Sequence, residues 1–291
     1  MKPARFEYFR PTTPAEAVEI LARYDGNARL LAGGQSLVPL LNFRVVTPAA
    51  LIDLNHCPGL DEIRRDGETL LFGPMVRQAA AETSELVRAC CPLITATMPF
   101  LGSRTVRNRG TIGGTLAHAD RVAELPAIAV ALGATMIAES PNGRREIPAE
   151  DFYVGDLTTD LAADEMLREI RFPITSAGHR FAFVEANNRH HDLALAGVAV
   201  NLDCAAERCD RAVLVVMGVG PTPLRLTAAE QRLEGQAITP SAIKDAAAAS
   251  VDGIAFESDL HASADYRRHA LPGLVERALE QAMHRPAEIA R

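Results

Sequence analysis

Leu31-Ala32-Gly33-Gly34-Gln35-Ser36-Leu37 is the stretch on which the fold turns. A short apolar strand, Arg29-Leu30-Leu31-Ala32, runs into two glycines and a hydroxyl residue. Glycine lacks a Cβ, so consecutive backbone N–H groups can turn toward one point and let an anion come close. Ser36 offers a further donor. The segment is not a Walker loop, because no lysine follows, and it is not a GxGxxG fingerprint. Gly-Gly turns between strands are common, so this segment alone does not establish phosphate binding.

Further along, Gly110-Thr111-Ile112-Gly113-Gly114-Thr115-Leu116-Ala117-His118-Ala119-Asp120 places three glycines within five residues. The hydroxyls of Thr111 and Thr115 stand beside them. Two such segments in one chain, each flanked by Ser or Thr, suit a ligand with two phosphates.

Around these segments the pattern alternates. Thr13-Pro14-Ala15-Glu16 is a capping box with proline at the first helical position, opening a helix to about Tyr24. Strands are expected at Arg29–Ala32, Ala50–Leu54, Thr69–Phe72, Ala134–Ala138 and Met166–Phe172. Helices are expected at Val76–Ala89, Pro92–Leu101 and Val122–Leu132, with Arg104–Gly114 as a polar, glycine-rich interruption. Ser176-Ala177-Gly178-His179 is short, small and polar, and is taken as a domain boundary. Beyond it come three strands, Phe181–Ala186, Ala194–Leu202 and Ala212–Val219. Helices follow at Ala228–Leu233 (capped by Thr227 and Glu230), Ser241–Ser250 and Ala264–Met283, which together suggest a compact α+β unit.

Composition narrows the function. The 291 residues are 48% hydrophobic and 23% charged, enough for a substantial core. A net charge of −7 without a Lys/Arg block argues against a nucleic-acid partner. No apolar run of about 18 residues could span a bilayer, and Met1–Arg10 lacks a signal peptide's apolar core. A cytoplasmic protein is expected. The five cysteines form no CxxC pair, so neither zinc nor an iron–sulfur cluster is indicated within the chain. Cys204 and Cys209 are close enough in sequence to bond, but free thiols are expected. Adjacent His190 and His191 would face opposite sides of a strand, so no metal is expected. There is no tryptophan and aromatics are few, so a planar cofactor must be held largely by backbone and aliphatic contacts.

These residues carry a family resemblance. AGGQS at Ala32–Ser36, RNRGTIGGTLAHAD at Arg107–Asp120 and AELPA at Ala123–Ala127 resemble the FAD-binding (medium) subunit of molybdenum hydroxylases. That family includes carbon monoxide, xanthine and nicotine dehydrogenases. The resemblance continues through Arg189–Asp192, Gly218–Pro223 and Ser263–Arg268, covering essentially the whole chain.

The resemblance implies an α+β fold. Residues 1–176 would form an FAD-binding domain of the vanillyl-alcohol-oxidase/PCMH type, with subdomains of about 1–55 and 56–176. Residues 177–291 would form a small carbon-monoxide-dehydrogenase-flavoprotein-like α+β domain with a three-stranded antiparallel sheet. FAD would be bound non-covalently, its diphosphate by Ala32, Gly33, Gly34, Gln35 and Ser36, flanked by Arg29, Leu30, Leu31 and Leu37. Gly110, Thr111, Gly113, Gly114 and Thr115 would close on the same cofactor. His118 and Glu124 match positions near the ribityl chain or the adenosine ribose, and Leu101 and Leu167 match apolar contacts near the adenine. Leu193 would lie against the isoalloxazine, and Asp192 would either hold that loop or tune the flavin's potential.

Three departures stand out: Arg121 where proline is usual, Thr115 where Asn or Ser is common, and Asn188 in place of one of an arginine pair. The last lies in the loop facing the electron acceptor.

The function implied is electron transfer from 2Fe-2S clusters through FAD to an external acceptor. The partners would be a small iron–sulfur subunit and a large molybdopterin subunit, assembled as a dimer of heterotrimers. An aromatic N-heterocycle is the expected substrate class, with carbon monoxide the alternative. A self-contained flavin oxidoreductase and a non-enzymatic nucleotide-binding module are the rival readings. No catalytic acid–base pair is required in this chain.

Overall fold

The structure is a computed structural model that describes residues 2–176, 178–189, 192–205 and 208–284. Its N-terminal part builds a three-stranded parallel sheet, with Ala50–Asp53 between Glu7–Phe9 and Ala28–Leu31. Helix Pro14–Arg23 makes the crossover from the first strand to the third in space. Thr13 Oγ1 accepts from Glu16 N at 3.1 Å, and Glu16 reaches back to Thr12 N at 2.8 Å. The helix buries Ala17, Val18, Ile20 and Leu21 against Ala28, Ala50 and Ile52. Parallel strands feed straight into loops at their C-terminal ends, and Ala32–Ser36 is such a loop.

A second sheet has five antiparallel strands in the order Ile63–Asp66, Thr69–Phe72, Met166–Pro173, Thr135–Ser140, Gly143–Pro148. Helices pack on one face of it, and Glu124–Ala131 is the most enclosed. Every residue of that helix from Leu125 to Ala131 is buried, as expected for a helix apolar on all sides. On its far side lies a C-terminal sheet, which presents Phe183, Ala199, Val213, Val215 and Met217 to the same core. The opposite face of that sheet is covered by helices Pro240–Ala249 and Ala264–His284. With both faces covered, Ala194–Val200 is buried throughout and shows no polar alternation.

The C-terminal sheet corrects one expectation. It has four strands, His179–Asn187, Ala194–Ala205, Arg208–Met217 and Leu224–Arg225, where three were expected. The fourth is two residues long and carries no period to recognise. Helix Val76–Ala89 is in fact two, Gln78–Thr83 and Glu85–Cys90. Ser84 leaves the helical region (φ −72°, ψ 119°) and caps the second one. Thr227 opens helix Thr227–Glu230 without capping it. Strands Glu7–Phe9, Ile63–Asp66 and Gly143–Pro148 were not anticipated; they are largely exposed, so their side chains carry little hydrophobic alternation.

Candidate functional site

The Arg104–Gly114 interruption holds two short helices, Arg104–Arg107 and Ile112–His118, so Gly113 and Gly114 lie in a first helical turn and not in an open loop. Thr111 Oγ1 accepts from Gly114 N at 3.0 Å and so caps that helix. Thr115 Oγ1 accepts from Gln78 Nε2 at 2.8 Å. Each hydroxyl keeps its own proton free to donate.

The two glycine segments meet back to back. A Cβ on Gly33 would stand 2.2 Å from Arg109 O, and one on Gly113 would stand 2.4 Å from Pro74 Cβ. At these two positions glycine is required for chain to approach chain, whereas the sequence suggested room for a ligand. Gly34 needs glycine for another reason, a φ of +73°.

A polar clamp fixes this contact. Arg77 Nη1 donates to Arg109 O at 2.5 Å and Nη2 donates to Asn55 Oδ1 at 2.6 Å. Asn55 Nδ2 in turn donates to Ala32 O at 3.0 Å. Asp53 orients Asn55 by accepting from its backbone N–H, and Tyr8 donates its hydroxyl to the other Asp53 oxygen. One network therefore holds the carbonyls of both glycine segments. Neither Asn55 nor Arg77 was singled out from sequence. The only local hint is that Asn55 follows the end of a buried strand.

Between the segments opens a cleft of about 440 Å³. Ala32, Gly33, Gly34, Gln35, Ser36 and Leu37 line one side; Gly110, Thr111, Gly113, Gly114, Thr115 and His118 line the other. Among the described residues, no protein acceptor takes the backbone N–H groups of Gly33, Gly34, Gln35 or Ser36. Four consecutive unpaired donors on a cleft wall make an anion-binding nest. Leu40, Leu157, Leu161 and Leu167 add an apolar wall, and among the described residues no Phe, Tyr or Trp lines the cleft. Leu30 also contributes, and Arg29 lies at the cleft with its guanidinium tied to the carbonyls of Gly26 and Ala28 at 2.8 and 2.9 Å.

Other anticipated residues lie outside the lining. Leu31 ends its strand beside Gly34. Leu101 is buried in the main core. Asp192 and Leu193 are exposed on the loop before strand Ala194–Ala205, where Asp192 Oδ1 accepts from Leu193 N at 3.0 Å. His190 and His191 of that loop, and Ala177 of the anticipated boundary, lie outside the described residues.

Glu124 opens its helix beside a second acid not seen in advance, Glu185. Burial pushes the Glu124 carboxyl up to about 7. Burial, and then the charge of Glu124, pushes Glu185 up to about 8. Glu185 Oε1 accepts from Asn187 Nδ2 at 2.8 Å, and Oε2 is buried without a partner among the described residues.

Comparison with known proteins agrees with this architecture. The family described as the FAD binding domain in molybdopterin dehydrogenase matches residues 4–175, and the CO dehydrogenase flavoprotein C-terminal domain matches residues 181–282. The chain is 38% identical to the 6-hydroxypseudooxynicotine dehydrogenase complex subunit alpha of Paenarthrobacter nicotinovorans, over 98% of this chain and 97% of that one. It is 40% identical to the caffeine dehydrogenase subunit beta of Pseudomonas sp. (strain CBB1), over 82% and 81% of the two. Its fold superimposes with a TM-score of 0.95 on carbon monoxide dehydrogenase from Hydrogenophaga pseudoflava, in a form lacking the Mo-pyranopterin moiety of the molybdenum cofactor. That match has 38% identity and covers 99% of this chain and 100% of that one. The chain belongs to the family of FAD-binding medium subunits of the molybdenum hydroxylases.

Proposed function

We propose that the chain holds FAD non-covalently between its two glycine segments and passes electrons from 2Fe-2S clusters on a partner subunit to an external acceptor. The flavin would supply the redox chemistry, exchanging electrons with both. The chain's own residues bind and orient it. The observation that carries this reading is the run of four unpaired amides, Gly33 to Ser36, on the cleft wall. A diphosphate satisfies such donors and needs no lysine. Ser36, Thr111 and Thr115 add hydroxyl donors, and Leu157, Leu161 and Leu167 give aliphatic cover where no Phe, Tyr or Trp is present among the described residues.

Several points extend the same reading. Leu193 and Asp192 border the flavin ring. The partners are a small iron–sulfur subunit and a large molybdopterin subunit in a dimer of heterotrimers, and the complex works in the cytoplasm. Subunit naming among the relatives supports assembly, and no described helix is long and apolar enough to cross a membrane. The substrate class is an aromatic N-heterocycle. Similarity to a caffeine dehydrogenase subunit supports it, since caffeine is such a ring. Carbon monoxide is the second reading, favoured by the TM-score of 0.95 to a carbon monoxide dehydrogenase.

Acid precipitation of the purified chain tests the cofactor assignment: the yellow flavin should pass into the supernatant, and colour left in the pellet would refute non-covalent binding. Assaying the purified complex with purine and pyridine substrates and with carbon monoxide separates the substrate readings. Sustained substrate turnover by this chain alone would contradict the assembly.

A further inference from the structure

Strands Ala194–Ala205 and Arg208–Met217 pair antiparallel, and near their joined ends Cys204 stands directly opposite Cys209. A register shift beyond Asp203 creates this opposition. Pairing runs from Asp203 with Arg211 to Cys204 with Cys209, so Asp210 is an extra, bulged residue. Without the bulge Cys204 would face Asp210.

The backbone shows which kind of pair this is. Cys209 N donates to Gln236 O at 3.0 Å, and Cys209 O accepts from Gly235 N at 2.8 Å. Both main-chain groups of Cys209 therefore point away from Cys204. Such non-hydrogen-bonded pairs bring opposed Cα atoms to about 4.5 Å, within the span of about 4.4–6.8 Å that a disulfide bridges. The two thiols are close enough to perturb one another's ionisation. Access differs: Cys209 is fully buried beneath the C-terminal helices, whereas Cys204 is only half-buried.

We propose that Cys204 and Cys209 form a redox-modification site, a thiol pair that closes to a disulfide on exposure to hydrogen peroxide and reopens with added thiol. The half-buried Cys204 sulfur, as thiolate, attacks one peroxide oxygen. The O–O bond breaks, and the hydroxide released takes up a proton to leave as water. Cys204 is now a sulfenic acid. The Cys209 sulfur then attacks the Cys204 sulfur, the S–O bond breaks, and a second water leaves with the remaining proton. Two thiols and one peroxide give one disulfide and two waters. Burial holds the Cys209 thiol up to about 12, so closure is slow at neutral pH and faster in mild alkali.

Trypsin offers a direct test, because it cuts after Arg208 and Arg211 and releases Cys209 on the tripeptide Cys209-Asp210-Arg211. The full-length chain carrying its flavin is treated with peroxide, alkylated under denaturing conditions and digested. We expect that tripeptide linked to the peptide bearing Cys204, separable by dithiothreitol, with two of the five thiols lost to alkylation. Cys204→Ser should retain all its remaining thiols, and Cys209→Ser should leave a sulfenic acid at Cys204 that dimedone traps. Recovery of the two peptides unlinked at complete peroxide consumption would overturn the proposal. So would the same loss of two thiols in Cys204→Ser.

Discussion

Asn55 and Arg77 are joined by a 2.6 Å hydrogen bond, and through it the carbonyl of Ala32 and the carbonyl of Arg109 are held in one frame. The separation of the two glycine segments, and hence the width of the cleft, is set by two side chains 22 residues apart.

Removing either member should loosen that frame. Asn55 is exposed and Arg77 half-buried, so each lost hydrogen bond costs about 0.5–1.5 kcal/mol net, a factor of roughly 2 to 10 in binding. Asn55→Ala and Arg77→Ala should each weaken FAD binding by about that factor. The double variant should be little worse than either single one, because the two act through a shared bond. Flavin fluorescence titration of the apo forms measures this, and strictly additive losses would show that the pair does not act as a unit.

Gly33 and Gly34 should respond differently to alanine. At Gly33 the added Cβ meets backbone at 2.2 Å, which cannot move without parting the segments. Gly33→Ala should lower both flavin content and the unfolding temperature of the apo chain. At Gly34 the nearest atoms are side chains at 3.1 and 3.3 Å, and the penalty is the φ of +73°. Gly34→Ala should therefore be milder in both readouts, and calorimetry of apo and flavin-loaded forms would expose a reversed order.

Glu185 predicts a pH dependence. Its carboxyl is pushed from 4.5 to about 8, so the folded state favours the uncharged form. The stability this represents is complete below about pH 4.5 and is lost as pH rises through 8. Glu185→Gln mimics the neutral acid. Its unfolding temperature should match wild type near pH 5 and exceed it at about pH 8.5, at roughly 2–4 °C per kcal/mol for a chain of this size. An equal offset at both pH values would argue against titration of this group.

The loop before strand Ala194–Ala205 bears on the acceptor. Leu193 is 51% exposed, so an acceptor or a covering side chain can reach it. Leu193→Tyr and Asp192→Ala should change flavin reoxidation by NAD⁺, oxygen or a quinone analogue at least severalfold, with FAD content unchanged. Stopped-flow rates that match wild type with all three acceptors would place this loop away from the ring.

Much of the molecule was legible in advance. Helix Pro14–Arg23 was announced by its capping box, and strands Ala50–Asp53 and Thr69–Phe72 by their apolar runs. Two-residue strand Leu224–Arg225 and edge strand Gly143–Pro148 were not, because exposed or very short strands have no face to bury and so no period. The break at Ser84 was also hidden, since Ser suits both a helix surface and a cap.

By itself the sequence determined the two glycine segments, their order and the family to which the chain belongs. These signals are local, written in consecutive residues whose chemistry needs no partner to be recognised. Only the tertiary structure decided why Gly33 must be glycine, that Asn55 and Arg77 clamp the cleft, that Glu124 and Glu185 perturb one another, and that a bulge at Asp210 sets Cys204 opposite Cys209. Each of these depends on backbone approach, desolvation or register between strands, and those arise only when distant segments are brought into contact.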